Sequence, residues 1–356
     1  MTTLRATLLT PLSGPLSLFG KASAYGLSLW ANFAAHLPAP YSGVRLIVRD
    51  SLPNTAAALQ EILKENPDLL FGPYGTRPML AAARATSGVI WNHGGATSRL
   101  CWPDFPHVIN VLAPSSSYFA GVLEAIHAAD ERVRQVTLVH STTSFGRDVA
   151  LGACTKATDL GMTVRAVPFE ASNPLAVATS APDAEVLLVA GNFADELAVA
   201  PLLLARNWKY AAFIGAGTTE VLAALGELRE GLIGPTQWLA STPPRPDEGP
   251  EASWFVARYH EQTGKEPPYP AVQALAAGLV AARCVREAGS CEDEALLTAA
   301  RGLHCTTLYG PFELDTTTGL QVGHRIAVVQ WQEGERQVVW PPDQAERRVR
   351  KLGEQK

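Results

Sequence analysis

Strand-length apolar runs alternate with helix-length stretches of apolar periodicity through two thirds of this chain, and that alternation limits the fold more than any single motif. Residues 4–9, 44–48, 69–71, 89–91 and 108–112 read as strands, with helices expected at 21–36, 55–65 and about 76–86. A βαβαβα order of this kind implies a parallel sheet covered by helices on both faces. The pattern then restarts. A helix over 118–129 leads to a strand at 136–140, a helix at 147–160 and strands at 163–169, 185–189 and 211–214. Helices at 194–206 and 218–225 separate the later strands, and 231–239 reads as one more. After the Pro-rich TPPRPDEGP (242–250) come helices at 251–264, 271–288 and 292–302, then strands at 309–314, 324–332 and 337–340.

That late segment cannot fold alone, so it is expected to return and complete both halves. The fold class is α/β: two doubly wound parallel-sheet lobes joined by a multi-crossing hinge. Lobe I is expected to hold residues 1–113 and 247–321, lobe II residues 114–246 and 322–342, and 343–356 to be a solvated basic tail around Arg347, Arg348, Arg350 and Lys351. A hinge of that kind gives a cleft that opens and closes.

The stretch 70–97, LFGPYGTRPMLAAARATSGVIWNHGGAT, is the expected site. It reads as strand, turn at Gly72-Pro73, short helix, strand and a second Gly-rich turn. Thr76 is placed to cap the helix, with Pro78 tolerated in its first turn. Two loops rich in small residues thus leave neighbouring strand ends, and open α/β sheets bind ligands beyond the carboxyl ends of their strands.

Bulk properties exclude several classes. A chain of 356 residues suits about two domains at ~150 residues each. With 47% hydrophobic and 18% charged residues it has the material for real cores and not the composition of a disordered chain. The net charge of −5 leaves no basic footprint for nucleic acid. No apolar run approaches the ~20 residues of a membrane span. The start, MTTLRATLLTPLSG, runs straight into a strand without the parts of a signal peptide. The expected location is therefore periplasmic or otherwise extracytoplasmic if a signal peptide has been removed, and cytoplasmic if not. Five cysteines with no Cys-x-x-Cys pair argue against a metal framework; buried thiols are favoured, with at most one bridge among Cys284, Cys291 and Cys305.

Motifs for other chemistry are weak. Gly14 to Lys21 imitates a P-loop but has five residues between the glycines, Ala22 where magnesium needs a hydroxyl, and Pro15 in place of a donor. Gly215-Ala216-Gly217 opens like a dinucleotide fingerprint, yet Glu220 stands where the third glycine belongs. There is no Gly-x-Ser-x-Gly and no His-Glu-x-x-His. His93 and His140 lie at strand ends, the second near Ser141, Ser144 and Asp148, but no pattern singles out a nucleophile. No enzyme activity, cofactor or metal is expected. What remains is a set of aromatic residues among small ones: Phe19, Tyr74, Trp91, Phe145, Phe193 and Trp238. Apolar walls with a few polar groups are the usual pattern of small-molecule sites.

Eight markers in order carry a resemblance: TPLSGPLSLFG, VRLIVRDSLPNTAAA, LLFGPYGT, VIWNHGGATS, VTLVHSTTSFGRD, EVLLVAGNFADE, FIGAG and GPFELDTTTG. Over nearly its whole length the chain resembles the type I periplasmic binding proteins, in the leucine/isoleucine/valine-binding branch of ABC-transporter solute receptors. The resemblance implies a Venus-flytrap receptor for amino-acid transport that closes on a small ligand, an amino acid or a similar molecule, with an ABC permease as partner. It places carboxylate donors at Tyr74, Gly75 and Thr76 and at Ala96 and Thr97, with the Gly95 carbonyl accepting from an ammonium. From the far lobe it brings Phe145 and Phe193, and Phe19 from the first loop.

One position departs from the family. Its amino-acid binders carry a Glu after the strand at 211–214; here that place falls to Gly217, with Glu220 a turn further on. A buried ammonium without a counter-charge is costly. An amide or an aromatic acid, aided by Trp91, His93 or Trp238, then fits as well as an amino acid. A cytoplasmic amide sensor of the same fold, and an enzyme on a doubly wound scaffold, are the alternative readings.

Overall fold

The structure is a computed structural model that describes residues 2–33, 37–170 and 173–354. It divides into two compact units: residues 1–113 with 238–325, and residues 114–237 with 326–356. The chain therefore passes from one to the other at 113/114, 237/238 and 325/326. The second and third boundaries stand away from the expected 246/247 and 321/322. Trp238 is buried in the first unit's core with its Nε1 donating to the Leu308 carbonyl at 2.8 Å, and Gln321 accepts from the Gly323 N–H at 2.7 Å.

Unit 1 begins with β1 (Thr2–Thr10), α1 (Ser17–Phe33), β2 (Tyr41–Asp50), α2 (Thr55–Leu63), β3 (Leu69–Phe71), α3 (Thr76–Ala85), β4 (Ile90–Asn92) and β5 (Val108–Asn110). Its sheet is parallel throughout, in the order β2-β1-β3-β4-β5. Helix α1 starts before the expected residue 21, because the Ser17 N–H closes a turn on the Gly14 carbonyl. The last expected residues of that helix, 34–36, lie outside the described residues. Thr76 is the first residue of α3 rather than its cap: Gly75, at φ 99°, takes the cap position and no side chain caps the helix. Two cores sandwich the sheet. Trp30, Phe71, Trp91, Phe255 and Leu275 fill one side, and Leu9, Leu59, Ile62, Met79 and Ile90 the other.

The return segment supplies α8 (Ala252–Thr263), α9 (Tyr269–Ala288), α10 (Asp293–Gly302), β11 (Cys305–Thr306) and β12 (Pro311–Phe312). Helix α9 lies close against α1. A Cβ on Gly26 would stand 1.9 Å from the Ala271 carbonyl oxygen, so that crossing admits no side chain. All five cysteines are free thiols.

Unit 2 holds α4 (Tyr118–Ala129), β6 (Gln135–Ser141), α5 (Ser144–Asp159), β7 (Thr163–Phe169), α6 (Val177–Ser180), β8 (Val186–Ala190), α7 (Phe193–Leu204), β9 (Tyr210–Phe213), β10 (Ile233–Thr236), β13 (Ala327–Gln332) and β14 (Glu335–Trp340). The order β7-β6-β8-β9-β10 is parallel and repeats that of unit 1, while β13 and β14 extend the sheet antiparallel. The expected helix at 218–225 is absent. In its place are 3-10 turns at Ile214–Gly217 and Ala223–Arg229, the latter broken by Gly226 at φ 52°. The basic tail is not a loose end. Gln330 exchanges two hydrogen bonds of 2.8 Å with the Arg350 backbone, Gln332 donates to the Arg348 carbonyl at 2.9 Å, and the Leu352 N–H donates to Lys209.

Candidate functional site

In a sheet of order 2-1-3-4-5 the strand order reverses between the first and third strands, and ligands bind beyond the carboxyl ends there. In unit 1 that point lies between β1 and β3. The helix after β1 carries Phe19 in its first turn, and the loop after β3 carries Tyr74. Their rings stack with centroids 5.4 Å apart at 17°. Tyr269, at the start of α9, joins them: its ring centroid is 6.3 Å from that of Phe19, and its hydroxyl is 2.5 Å from that of Tyr74. Nothing in PPYP before α9 marked Tyr269, which reads as a loop residue in sequence.

The loops after β3 and β4 are pressed together. The Gly72 N–H donates to the Trp91 carbonyl at 3.0 Å, and the Gly75 N–H to the Gly94 carbonyl at 2.9 Å. A Cβ at residue 94 would stand 2.6 Å from the Tyr74 Cα. Beneath them the buried Asn92 accepts from the Gly94 and Gly95 N–H groups and donates to the Gly95 carbonyl and to Asn110 Oδ1, both at 2.8 Å. Asn110 in turn donates to the Leu100 and Gly319 carbonyls. This amide ladder fixes the turn that carries Ala96 and Thr97. It also engages two groups expected to meet a ligand, the Gly95 carbonyl and the Gly75 N–H. Thr97 is buried, with its hydroxyl accepting, among the described residues, only a long 3.4 Å bond from the Arg99 N–H. Thr76 is half-buried at the start of α3, where the helix dipole favours an anion.

Other expected residues lie deeper. Trp91 is fully buried in the core cluster, and Trp238 packs there edge-on to Phe255 at 6.3 Å. His93 is fully buried, and burial pushes it down to about 4 against the pull of the Trp91 backbone, so its ring is neutral.

In unit 2 the reversal falls between β6 and β8. The helices that follow those strands begin with Phe145 and Phe193, both half-buried. Thr143 caps α5 on the Gly146 N–H at 3.1 Å, and Asn192 caps α7 on the Asp195 N–H at 3.0 Å, which fixes where each ring stands. Tyr118 meets Phe145 edge-on at 5.9 Å, and its hydroxyl accepts from Gln237 Nε2 at 2.7 Å. Asp148 accepts from Ser115 and Ser116, Ser141 Oγ pairs with Thr143, and His140 Nδ1 lies on the Ser141 carbonyl.

Gly217 is buried against β10. A Cβ there would stand 1.8 Å from the Pro235 carbonyl oxygen, so the position admits no acidic side chain, and its own carbonyl accepts from Arg336 at 2.7 Å. Glu220 is exposed, and its charge acts on the half-buried Arg336 guanidinium, whose pKa desolvation lowers against that pull. The P-loop imitation also resolves: Gly20 lies inside α1, where a Cβ would stand 1.9 Å from the Pro11 carbonyl oxygen.

Comparison with known proteins agrees with this architecture. The leucine-binding protein of Thermotoga maritima is 20% identical and superposes with a TM-score of 0.80 over 96% of this chain and 99% of its own. A Rhodopseudomonas palustris solute-binding protein in complex with benzoate is 17% identical, with a TM-score of 0.77 over 99% and 98%. Another from R. palustris HaA2, in complex with p-hydroxybenzoic acid, is 18% identical, with a TM-score of 0.79 over 99% and 97%. The model of the family described as periplasmic binding protein matches residues 3–336. The chain belongs to the periplasmic binding protein family, with the type I fold of its solute-binding receptors.

Proposed function

We propose that this chain is an extracytoplasmic receptor for ABC-type import, and that its ligand is a small molecule with a carboxylate or amide on an apolar, preferably aromatic, body. One observation carries this reading. The aromatic group Phe19, Tyr74 and Tyr269 stands at the strand-order reversal of unit 1, beside the start of α3 and the Thr97 turn. Thr76 and Thr97 would hold the polar end and the aromatic rings the apolar body. Phe145 and Phe193, at the equivalent point of unit 2, are the second set of proposed contacts.

The departure at Gly217 bears on ligand class. An acidic side chain cannot enter there, and Glu220 is exposed with its charge near that of Arg336, so neither is a ready counter-charge for a buried ammonium. That favours aromatic acids and amides over α-amino acids. Relatives of the same fold are consistent with either class, one being a leucine-binding protein and two being complexes with benzoates.

The test is a thermal-shift screen with benzoate, 4-hydroxybenzoate, aliphatic amides and branched amino acids. At ~100 times Kd a ligand adds about 2.7 kcal/mol, several degrees for units of this size. Thr97→Ala should weaken binding while changing the stability of the empty protein by less than about 1 kcal/mol, since among the described residues the hydroxyl makes only the long Arg99 bond. A stability loss with unchanged affinity would remove Thr97 from the site. A shift with leucine alone would move the ligand class to amino acids.

A further inference from the structure

Helix α7 buries Val199, Ala200 and Leu203 as an amphipathic helix should, but its first turn departs from that pattern. The helix exposes Ala198, Pro201 and Leu202 and buries Asp195 and Glu196 in its first turn. A carboxyl group buried without a cation is costly, and a fold keeps one only where donors hold it. The donors to Glu196 are backbone. Oε1 accepts from the Gly191 N–H at 3.2 Å and Oε2 from the Gly215 N–H at 2.8 Å. A Cβ at residue 215 would stand 2.9 Å from Oε2, so glycine is what lets the carboxyl group in. The group thus spans the turns that leave β8 and β9, which are neighbours in the sheet. One turn leads into Phe193 and the other holds Ala216 and Gly217.

We propose that Glu196 is the positioning residue of unit 2's strand-end face, its carboxylate fastening the 191–193 turn to the Ile214–Gly217 turn. What those turns are for rests on the receptor reading; the fastening does not.

Both oxygens accept, so the ionised form is the one that satisfies both amides. A protonated acid keeps its carbonyl oxygen as an acceptor but offers the other amide only a weaker hydroxyl oxygen. Burial pushes the group up to about 8, with the charge of Asp195 adding to it and the backbone amides opposing. Asp195 is the charged group on its own helix and is bonded to Asn192. Strands β8 and β9 bring Val189, Ala190 and Phe213, and the segment beyond β9 brings Val221 and Leu222 to Gly215, none of them titratable. On β6, His140 faces the Ser141 carbonyl and Arg147. Ionisation near 8 should therefore strengthen both amide bonds between the turns, while the burial of the charge costs the folded state as a whole stability.

Amide NMR of the full chain without ligand tests this. The Gly191 and Gly215 signals should titrate together with a midpoint near 8, and those of Phe193 and Gly217 should follow. Glu196→Gln should abolish the titration at all four. Gly215→Ala, which sets a methyl group against Oε2, should displace the Gly191 signal on the other turn, and it keeps the test open if the Gln variant fails to fold. Unrelated midpoints, or a titration that survives Glu196→Gln, would overturn the fastening. For benzoate or L-leucine, whichever binds, affinity should rise roughly tenfold from pH 7 to 9 as the competent fraction grows from about a tenth, and should be flat in Glu196→Gln. Flat affinity in the wild type would overturn the positioning role. If neither probe nor any other in the screen bound, the receptor reading would fall, while the amide titration would still decide the fastening.

Discussion

The two units share one strand order and join equivalent loops with different chemistry. In unit 1 neutral groups do this work: the Gly75-to-Gly94 backbone bond ties the loops after β3 and β4, and the Asn92 amide holds the β4 loop to itself and to Asn110 of β5. In unit 2 the loops after β8 and β9 are tied by the carboxyl group of Glu196. Each unit also buries a titratable group with a large shift near these loops, of opposite kind: neutral His93 in unit 1 and Glu196 in unit 2. A parallel sheet requires that neighbouring strand-end loops satisfy their amides, but it does not say with what. An amide does so at any pH, and a carboxyl group only conditionally.

The largest expected effect follows from that difference. Glu196 rises to about 8 in the fold from an ordinary 4.5, so between those values the folded state holds the proton more tightly than the unfolded chain. Its contribution is full below 4.5 and is lost as pH climbs through 8, about 5 kcal/mol in all. His93 has the reverse sign. Its value falls to about 4 from 6.5, so its contribution is full above 6.5 and is lost as pH drops through 4, about 3 kcal/mol. Thermal melts from pH 4 to 9 should show loss at both ends, and Glu196→Gln should flatten the alkaline limb while leaving the acid limb. If the alkaline limb survives that substitution, the contrast between the units is not electrostatic.

A steric contrast comes next. At residue 217 an added Cβ meets backbone, the Pro235 carbonyl oxygen at 1.8 Å, which can yield only if β10 moves. At residue 95 it meets side chains, Met79 Cβ and Cγ at 2.5 Å and Leu100 Cδ1 at 3.0 Å, which have some freedom to shift. Gly217→Ala should cost at least about 3 kcal/mol and Gly95→Ala about 2 kcal/mol, read by urea unfolding. The reverse ranking would mean that the Ile214–Gly217 turn is softer than its packing implies.

How much of this was legible in the sequence follows the same division. The βα alternation carried both sheets, and the glycines and aromatics at strand ends marked Phe19, Tyr74, Phe145 and Phe193, because those signals are local. The 218–225 helix was misread because its apolar spacing looks helical, whereas the chain makes turns there and then a 3-10 segment, Ala223–Arg229, kinked at Gly226. Glu196 was invisible, since an acidic residue in a helix's first turn is ordinarily solvated there, and only the fold brings Gly191 and Gly215 to it. Gly217 was noticed for an acid it lacks, whereas the reason for its being glycine, the approach of Pro235, is tertiary. The basic tail was read as solvated because nothing in Arg347 to Lys351 announces the two glutamines on β13 that hold its backbone.

The smallest effect sharpens the comparison at the aromatic residues. Both units set a tyrosine beside their strand-end rings, Tyr269 by Phe19 and Tyr118 by Phe145, but the hydroxyls differ in partner. Tyr118 accepts from Gln237, whereas Tyr269 pairs with another tyrosine hydroxyl, Tyr74. In a hydroxyl pair one O–H donates to the other oxygen, so the two rings share a single bond. Tyr269→Phe and Tyr74→Phe should each cost about 1 kcal/mol of stability, and the double variant less than their sum, because either change breaks the one shared bond. With the proposed site, each should also weaken benzoate or amide binding, since the pair stands among the proposed contacts, while Tyr118→Phe should leave the stability coupling of the unit 1 pair untouched. Additive costs in the double variant, with affinity unchanged, would reduce the pair to packing and shift the polar end of the ligand wholly onto Thr76 and Thr97.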